Sequence, residues 1–578
     1  MAIARWRFTV RILAYTSADA YPLLRGASGH STSPAWCAAA LPAAGSREDR
    51  HSKRAGGRTM GVIISGGRRL TSEALHERTL RAATALAGLG VGVGDGVALY
   101  LRNDIPFFEA SAAAGVLGAY PVPVNWHYTP DEAAYLLRDS AAKAVVIHAD
   151  LLRPIAHVIP EGVAMAVVET PPEICSAYSV PAEAGAVPPG AIAWSELLDA
   201  SEPRTAAPLP APSTIIYTSG TTGRPKGVKR PPMSPATAQA GATMLAWSYG
   251  FTDYLDPSSD LSPADITTAV LGPVYHAAPN AHSGFAIRTG ANLVITPRFD
   301  AEELLRLIEA HRITHLNMVP IMFARLLKLP DEVKRRYDLS SLRFVAHAAA
   351  PCPPPVKRAM IEWWGPIINE YYGSTEMGNV TFCTAEEWLA HPGSVGRVMP
   401  GARVRVVDEA GRDLPPGEVG EVIGGLEGFG AFTYQNDDAK RRSMEKQGLI
   451  TPGDVGYFDA DGFLYLCDRK NDMIISGGVN IYPAEIEAEL HKLPEVADCA
   501  VFGVPDDEFG ESIHAVVQPQ PGAAADEAAL KTALRQSLAG YKIPRRIDFA
   551  ADLPREDSGK IFKRKLREPF WAGRTTRI

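Results

Sequence analysis

The densest chemistry in the sequence is the string Thr218-Ser219-Gly220-Thr221-Thr222-Gly223-Arg224-Pro225-Lys226-Gly227, directly behind the apolar run 214–217. A glycine- and hydroxyl-rich loop leaving a strand presents backbone N–H groups and hydroxyls to phosphate oxygens. Lys226 adds a point charge. The string is not a Walker A loop, because no G-x-x-x-x-G-K-[ST] can be placed on it. Gly-Thr-Thr-Gly by itself makes an ordinary surface turn; ten residues behind a strand are far more specific. Downstream, Glu376 follows Thr375 in Tyr372-Gly-Ser-Thr-Glu376. A carboxylate beside a hydroxyl suits Mg²⁺, which takes oxygen ligands and shares them with phosphates. Asp454 follows Gly453, where a loop carboxylate can accept two hydrogen bonds from a ribose diol; Arg469 would add a donor. Taken singly, these are solvated side chains or surface ion pairs worth about 0–1 kcal/mol. Lys560 lies in the basic cluster 555–565 beside Lys563 and Lys565, which alone reads as a solvated face.

These residues need a scaffold, and the chain is long enough to supply one. Its 578 residues predict roughly three or four structural units. Hydrophobic residues make up 46% and charged residues 21%, which excludes a wholly disordered or collagen-like chain. The net charge of −7 argues against a general nucleic-acid binder. Six cysteines without a C-x-x-C pair signal neither zinc ribbon nor disulfide scaffold, and a cytoplasmic location is the expectation. No apolar run reaches 18 residues, so no membrane span is expected.

The first 59 residues differ in character, with Arg5, Arg7, Arg11 and Arg25 scattered among serines and no apolar core of a signal peptide. They are read as a non-native or disordered extension, with Met60 as the start. Thr71 is a helix N-cap, and Leu75, Thr79, Ala82, Leu86 and Leu89 follow at helical spacing until Gly90. Strands are expected at 61–65, 97–101 and 144–148, with a helix at 133–137. This alternation argues α/β layers. Residues 170–212 read as a loop-bearing connection. A second βα series runs from Ile215 to about Tyr372, with a helix at 302–311 and strands at 313–318 and 343–346. The proline cluster 351–355 cannot be helix interior. From Val404 short alternating strands take over. A final block after Asp468 reads as a small α+β domain, with a helix at 483–490.

The ten-residue string resembles the signature of the adenylate-forming superfamily: acyl-CoA synthetases, peptide-synthetase adenylation domains and firefly-type luciferases. Tyr372–Glu376 resembles that family's Y-G-x-T-E, Gly453-Asp454 its T-G-D, and Asp468-Arg469 the start of its hinge. Gly477-Gly478-Val-Asn480-Ile-Tyr-Pro-Ala-Glu-Ile-Glu487 resembles G-G-x-N-I-x-P-x-E-I-E, and Ser558-Gly559-Lys560-Ile561 the C-terminal T-G-K-I/V. The likeness spans about residues 60–567, and five motifs in order make a chance match negligible.

The resemblance implies a large N-terminal region, 60–468, of two α/β subdomains and a β-barrel-like subdomain, with a small mobile C-terminal α+β lid, 469–578. It implies ATP-dependent acyl-CoA synthesis with Mg²⁺, ATP, coenzyme A and a small carboxylic acid, the acid first becoming an acyl-adenylate. Thr218–Gly223, Lys226 and Tyr372 would serve the nucleotide, with Thr375 at phosphate, Glu376 on Mg²⁺, and Asp454 and Arg469 on ribose. Lys560 would reach the reacting carboxylate, the Gly477–Gly478 strand would admit pantetheine, and the lid would turn near Lys470–Asn471. His276, in Tyr275-His276, matches a segment at the mouth of the acyl pocket, although a packed core histidine fits equally well.

The acid is expected to be a fatty acid; alternatives are an aryl, arylpropenoic (4-coumarate-like) or steroid- or bile-acid-like acid. A luciferase-type oxygenase would carry the same motifs. A peptide-synthetase module would need a carrier domain, for which the 18 residues after Lys560 leave no room. A non-catalytic nucleotide-binding homologue would be free to lose Lys560, Glu376, Asp454 and Arg469, and all four are present. Oligomeric state is left open. Three departures stand out: Asn471 where the family has Lys or Asp, Ala348-Ala-Ala-Pro351 for G-A-A-P, and Pro452 where the family has Thr.

Overall fold

The helix foreseen behind Thr71 runs Ser72–Gly88, and the Thr71 hydroxyl accepts from the Ala74 N–H at 3.2 Å. Leu75, Thr79, Ala82 and Leu86 are buried along one face, as their spacing requires. The structure is a computed structural model and describes residues 61–218, 225–256, 258–469, 472–476, 479–506, 508–555 and 561–572. The expected extension 1–59 lies outside the described residues.

Alternating strands and helices build two layered α/β units. The first holds four parallel strands in the order Tyr120–Pro123, Gly96–Tyr100, Ala142–His148, Ala164–Val168. The second is a nine-stranded sheet among the described residues. Its parallel centre runs Ile368–Ser374, Phe344–His347, His315–Met318, Thr267–Val270, Asn292–Ile295, Val62–Ser65. Antiparallel strands close both edges. The helices Ser72–Gly88 and Ile105–Val116 lie between the two sheets: Leu86 and Phe107 share one core with Leu99 of the first sheet and Leu293 of the second. Leu86 is fully buried, so truncating it to Ala would cost about 2–5 kcal/mol.

The connection 170–212 is more ordered than its composition suggests, carrying short helices at Pro172–Tyr178, Ala182–Gly185 and Trp194–Asp199. Trp194 anchors it by donating its indole N–H to Glu109 Oε2 at 2.9 Å, a contact 85 residues away in sequence. The proline cluster behaves as read: Pro354 and Pro355 open the helix Pro354–Trp364, where a missing N–H loses no intrahelical bond.

Beyond residue 402, Ala402–Val407, Gly420–Leu426, Glu445–Lys446, Leu449–Ile450, Asp454–Phe458 and Leu464–Arg469 form an antiparallel sheet. Between them, Thr433–Tyr434 pairs with Lys226–Lys229, which pairs with Ile216–Thr218. The C-terminal block joins five strands to the helices Pro483–Leu490 and Glu527–Leu534 around Ile486, Leu490, Val501, Ala515 and Leu530. The two α/β units, the antiparallel sheet and the small α+β domain are the architecture expected. No helix among the described residues is long and apolar enough to cross a membrane.

Candidate functional site

The glycine-rich string lies at the end of a hairpin. Thr218 stands opposite Lys226 across the ladder between Ile216–Thr218 and Lys226–Lys229. Ser219, Gly220, Thr221, Thr222 and Gly223 lie outside the described residues. The Lys226 ammonium donates to Asp437 Oδ2 at 2.5 Å, and that bond holds the Asp437 carboxyl below its ordinary range.

A second hairpin carries the acid. Strands Ile368–Ser374 and Gly378–Cys383 pair antiparallel, with Ser374 opposite Gly378. The turn between them places Thr375 and Glu376 on the cleft wall. Gly373 is required here, since a Cβ on it would stand 2.3 Å from the Gly378 carbonyl oxygen. The Ser374 hydroxyl accepts from the N–H groups of Glu376 and Met377 at 3.3 and 3.2 Å. Arg230 clamps the same turn from behind, donating to the carbonyls of Thr375 (3.0 Å), Glu376 (2.6 Å) and Gly430. Burial pulls the Arg230 guanidinium down to about 10, against the opposing pull of Glu376. The Tyr434 hydroxyl donates to Glu376 Oε1 at 2.8 Å. Burial and then Glu376 push that phenol far above its ordinary range.

Tyr372, two residues before Ser374, donates its hydroxyl to Asp454 Oδ2 at 2.6 Å. Burial and the adjacent Asp454 raise the Tyr372 phenol well above normal. Asp454 is the cross-strand partner of Arg469, whose Nε lies 3.4 Å from Asp454 Oδ1. The three residues that sequence motifs singled out 82 and 15 positions apart thus converge. The displaced threonine explains itself: Thr451 donates to Glu421 Oε1 at 2.6 Å and accepts from the Gly453 N–H at 3.1 Å. It folds the loop around Pro452 although it stands one place early. Ala349, in the Ala348–Pro351 departure, takes φ +74°, a left-handed backbone that costs about 1–2 kcal/mol without glycine.

His276 is the N-cap of the helix Ala277–Thr289 and half-buried. Its ring sits 4.5 Å from that of Tyr275, which packs edge-on against Trp126 at 4.7 Å. A continuous cleft of about 5540 Å³ is lined by Thr218, His276, Tyr372, Glu376, Asp454 and Arg469, so every predicted site residue of the N-terminal region that is described reaches one space.

At the C-terminal side, Lys560, Gly477, Gly478, Lys470 and Asn471 lie outside the described residues. Their described neighbours correct one expectation. Lys563 is not a solvated surface charge: it pairs with Glu487 at 2.8 Å and its side chain is only 20% exposed. Burial opposes its charge, but Glu487 and Asp468 outweigh this and raise it above an ordinary lysine. Asp468 caps the helix Pro483–Leu490 by accepting from the Ala484 N–H at 2.9 Å. Burial pushes its carboxyl up to about 6, against the nearby Lys563.

Sequence reasoning missed Arg230, Tyr434 and Asp437. Arg230 stood three residues past Gly227 in a Lys-Arg pair and could have been noticed. Asp437 is 211 residues from Lys226, and no local pattern joins them.

Residues 49–426 match the AMP-binding enzyme family, and residues 485–560 match the AMP-binding enzyme C-terminal domain. The chain belongs to this family, within the adenylate-forming superfamily. It is 32% identical to a fatty acid–[acyl-carrier-protein] ligase, ScoC, of Streptomyces coeruleorubidus, over 90% of this chain and 95% of that protein. It is also 32% identical to a feruloyl-CoA synthase of an Amycolatopsis species, over 88% and 96%. The structure of ATP-bound MatB from Rhodopseudomonas palustris superimposes with a TM-score of 0.76 at 28% identity, covering 89% of this chain and 96% of that one. In class the protein is an enzyme, an AMP-forming acid–thiol ligase.

Proposed function

We propose that the protein activates a fatty acid with ATP and passes the acyl group to coenzyme A, working from a body of residues 60–468 and a lid of 469–578 in the cytoplasm. The observation that carries this reading is the convergence of Tyr372, Asp454 and Arg469 beside the Glu376 turn on one cleft wall. A carboxylate is a poor electrophile because its leaving group would be oxide. In the first step a carboxylate oxygen of the acid attacks the α-phosphorus of ATP, the bond to the β-phosphate oxygen breaks, and pyrophosphate leaves. In the second the thiol sulfur attacks the acyl carbon, its proton is lost, and AMP departs.

The residues here divide that work. Asp454, oriented by Tyr372, accepts from the ribose hydroxyls, and Arg469 donates beside it. Thr218, the loop Ser219–Gly223 and Lys226 hold phosphate oxygens, with Thr375 reaching the same group. The donor set fits Mg²⁺: Glu376 spends one carboxylate oxygen on Tyr434, and Thr375 and Glu376 both line the cleft, a hydroxyl and a carboxylate of the oxygen type that this ion takes. Glu376 would hold the ion, which when bound neutralises charge on the phosphates. Lys560 stabilises the first transition state, and the Gly477–Gly478 strand leaves room for pantetheine after the lid turns at Lys470–Asn471. His276 borders the acyl path.

An apolar acid is supported by the apolar residues with which the helix Ala277–Thr289 lines the cleft, Ala277, Ala281, Gly284, Phe285 and Ile287 among them. The acids and acceptors named for the relatives differ, so the test is a panel. Pyrophosphate release and thioester formation are followed with fatty, aryl and arylpropenoic acids, using coenzyme A or a carrier protein as acceptor. Release that is fastest with fatty acids and gives acyl-CoA supports the reading. Preference for an aromatic acid, or for the carrier protein, replaces its substrate half.

A further inference from the structure

One polar cluster on the cleft wall has no part in the proposed handling of nucleotide, metal or thiol. Asn317 lies in the strand His315–Met318, is only 9% exposed, and lines the cleft. The Tyr371 hydroxyl donates to its Oδ1 at 3.2 Å. Its Nδ2 protons reach no acceptor among the described residues. With the carbonyl oxygen taken, these two N–H donors are all that the amide has left to offer. The sheet sets its direction. Asn317 pairs with Ala346, and Ala346 with Asn369, across parallel ladders, so positions 317, 346 and 371 leave the sheet on one face. The helices Pro235–Tyr249 and Ala277–Thr289 cover that face: Ala346 and Tyr371 share one core with Tyr249, Phe285 and Ala286. Tyr249 stands edge-on to Tyr371 with ring centroids 6.0 Å apart, and its hydroxyl donates to the Ala278 carbonyl at 3.5 Å. Asn317 is therefore a buried donor on the sheet face beneath the helix whose apolar residues line the cleft.

The cluster is neutral. Burial raises both phenols, Tyr371 to about 12 and Tyr249 well above its ordinary range, and the amide carries no charge. A purely hydrocarbon acid packed over Asn317 would strip water from its N–H groups and return no acceptor, which is unfavourable. A carboxylate packed there would need a cation to offset its own desolvation, and Asn317, Tyr249 and Tyr371 offer none. A neutral oxygen meets both conditions, since it accepts from Nδ2 and brings no charge into the wall.

We infer that Asn317 is a specificity-determining residue whose amide donates to a neutral oxygen, a ketone, ether or hydroxyl, borne by the apolar body of the acid, so that the preferred substrate is an oxygenated acid and not a plain hydrocarbon one. This rests on the acid-activating reading above and narrows its substrate.

Matched acids provide the test: decanoic acid against its keto derivatives with the oxygen at successive carbons, and cinnamic acid against 4-methoxycinnamic acid. Ketones and ethers accept hydrogen bonds without donating, so they report the donor alone. Turnover of the full chain is followed by pyrophosphate release, and equilibrium binding of each acid by calorimetry, which needs no turnover. The wild type is expected to favour the oxygenated member of fitting geometry by about tenfold or more, since a site built to hydrogen-bond a substrate rejects the analogue that cannot. A preference in the chain series or in the ring pair supports the inference and identifies the body that carries the oxygen. Asn317→Leu, which keeps the volume without the donors, should reverse the preference. Asn317→Asp, which replaces the donors by a charged acceptor, should lose the oxygenated acid without gaining the plain one, and melting curves check that both variants fold. The wild-type comparison needs no variant: equal use and equal binding of plain and oxygenated acids there overturns the inference, as does a preference that Asn317→Leu leaves in place. Should no acid be turned over, the activating reading fails, while binding of an oxygenated acid that Asn317→Leu abolishes still supports the role of Asn317 and its absence removes it.

Discussion

Removing one hydroxyl tests whether the Tyr372–Asp454 pair holds the nucleotide. In Tyr372→Phe the ring remains and the 2.6 Å bond to Asp454 Oδ2 is lost. A hydrogen bond to a charged group is worth about 1.5–3 kcal/mol, or about one to two decades in affinity. Arg469 cannot make this good. Its Nε lies 3.4 Å from the other oxygen and its side chain is 45% exposed, so that pair contributes about 0–1 kcal/mol. Asp454 would then be free to turn, and the ribose would lose an oriented acceptor. A ribose contact is made equally in ground and transition states, and uniform binding of this kind appears in KM rather than kcat. Pyrophosphate release measured against ATP concentration should therefore show KM for ATP rising about ten- to a hundredfold, with kcat within about threefold. Arg469→Gln should raise the same KM less than about fivefold. An unchanged KM in Tyr372→Phe, or a fall in kcat at constant KM, would refute the reasoning, since the pair would then be structural or act on the chemical step.

Glu376→Gln keeps the shape of the turn and the acceptor for Tyr434 but loses a charge, so adenylation at saturating Mg²⁺ should fall about tenfold or more with little change in melting temperature; equal rates would remove Glu376 from the site. Lys560→Ala should lose about two to four decades in acyl-adenylate formation, from a Coulomb term of about 4 kcal/mol at 4 Å. It should convert a supplied acyl-adenylate and coenzyme A at nearly the normal rate, and loss of both steps would make the lysine structural. Asp468 titrates near 6, above its unfolded value, so its contribution to stability is complete below about pH 4 and is lost as pH rises through 6. The loss is at most about 3 kcal/mol. Asp468→Asn should flatten the melting-temperature profile between pH 4 and 7, and an identical slope in both proteins would show that Asp468 is not the titrating group.

Local signals carried the fold a long way. Thr71 and the spacing behind it set the first helix, and strands buried on both faces, such as Gly96–Tyr100, read as unbroken apolar runs. Tyr372, Asp454 and Arg469 were legible because each sits in a short motif whose neighbours are fixed by turn geometry, as Gly373 is by its close approach to Gly378. The supporting residues were not. Arg230 serves backbone carbonyls 145 and 146 residues away, and Asp437 meets Lys226 only after the Thr433–Tyr434 strand has crossed into another sheet. Such pairs leave no periodicity or spacing to read. Lys563 went wrong for a related reason. A run of basic residues reads as solvated, and only the fold reveals that Glu487 and Asp468 stand against this one member.

These partners change how the cleft must receive its nucleotide. Lys226 is held by Asp437 and Arg469 faces Asp454, while the Arg230 charge is turned toward three carbonyls behind the Glu376 turn. The wall is therefore not a bare cationic patch. A free polyanion entering it would have to compete with protein carboxylates for each cation and would meet Glu376 directly. At an effective dielectric near 20, one unpaired like-charge contact at 4 Å costs about 4 kcal/mol, more than the gain from sharing an already paired lysine. The arrangement favours a nucleotide that arrives with its phosphate charge partly neutralised.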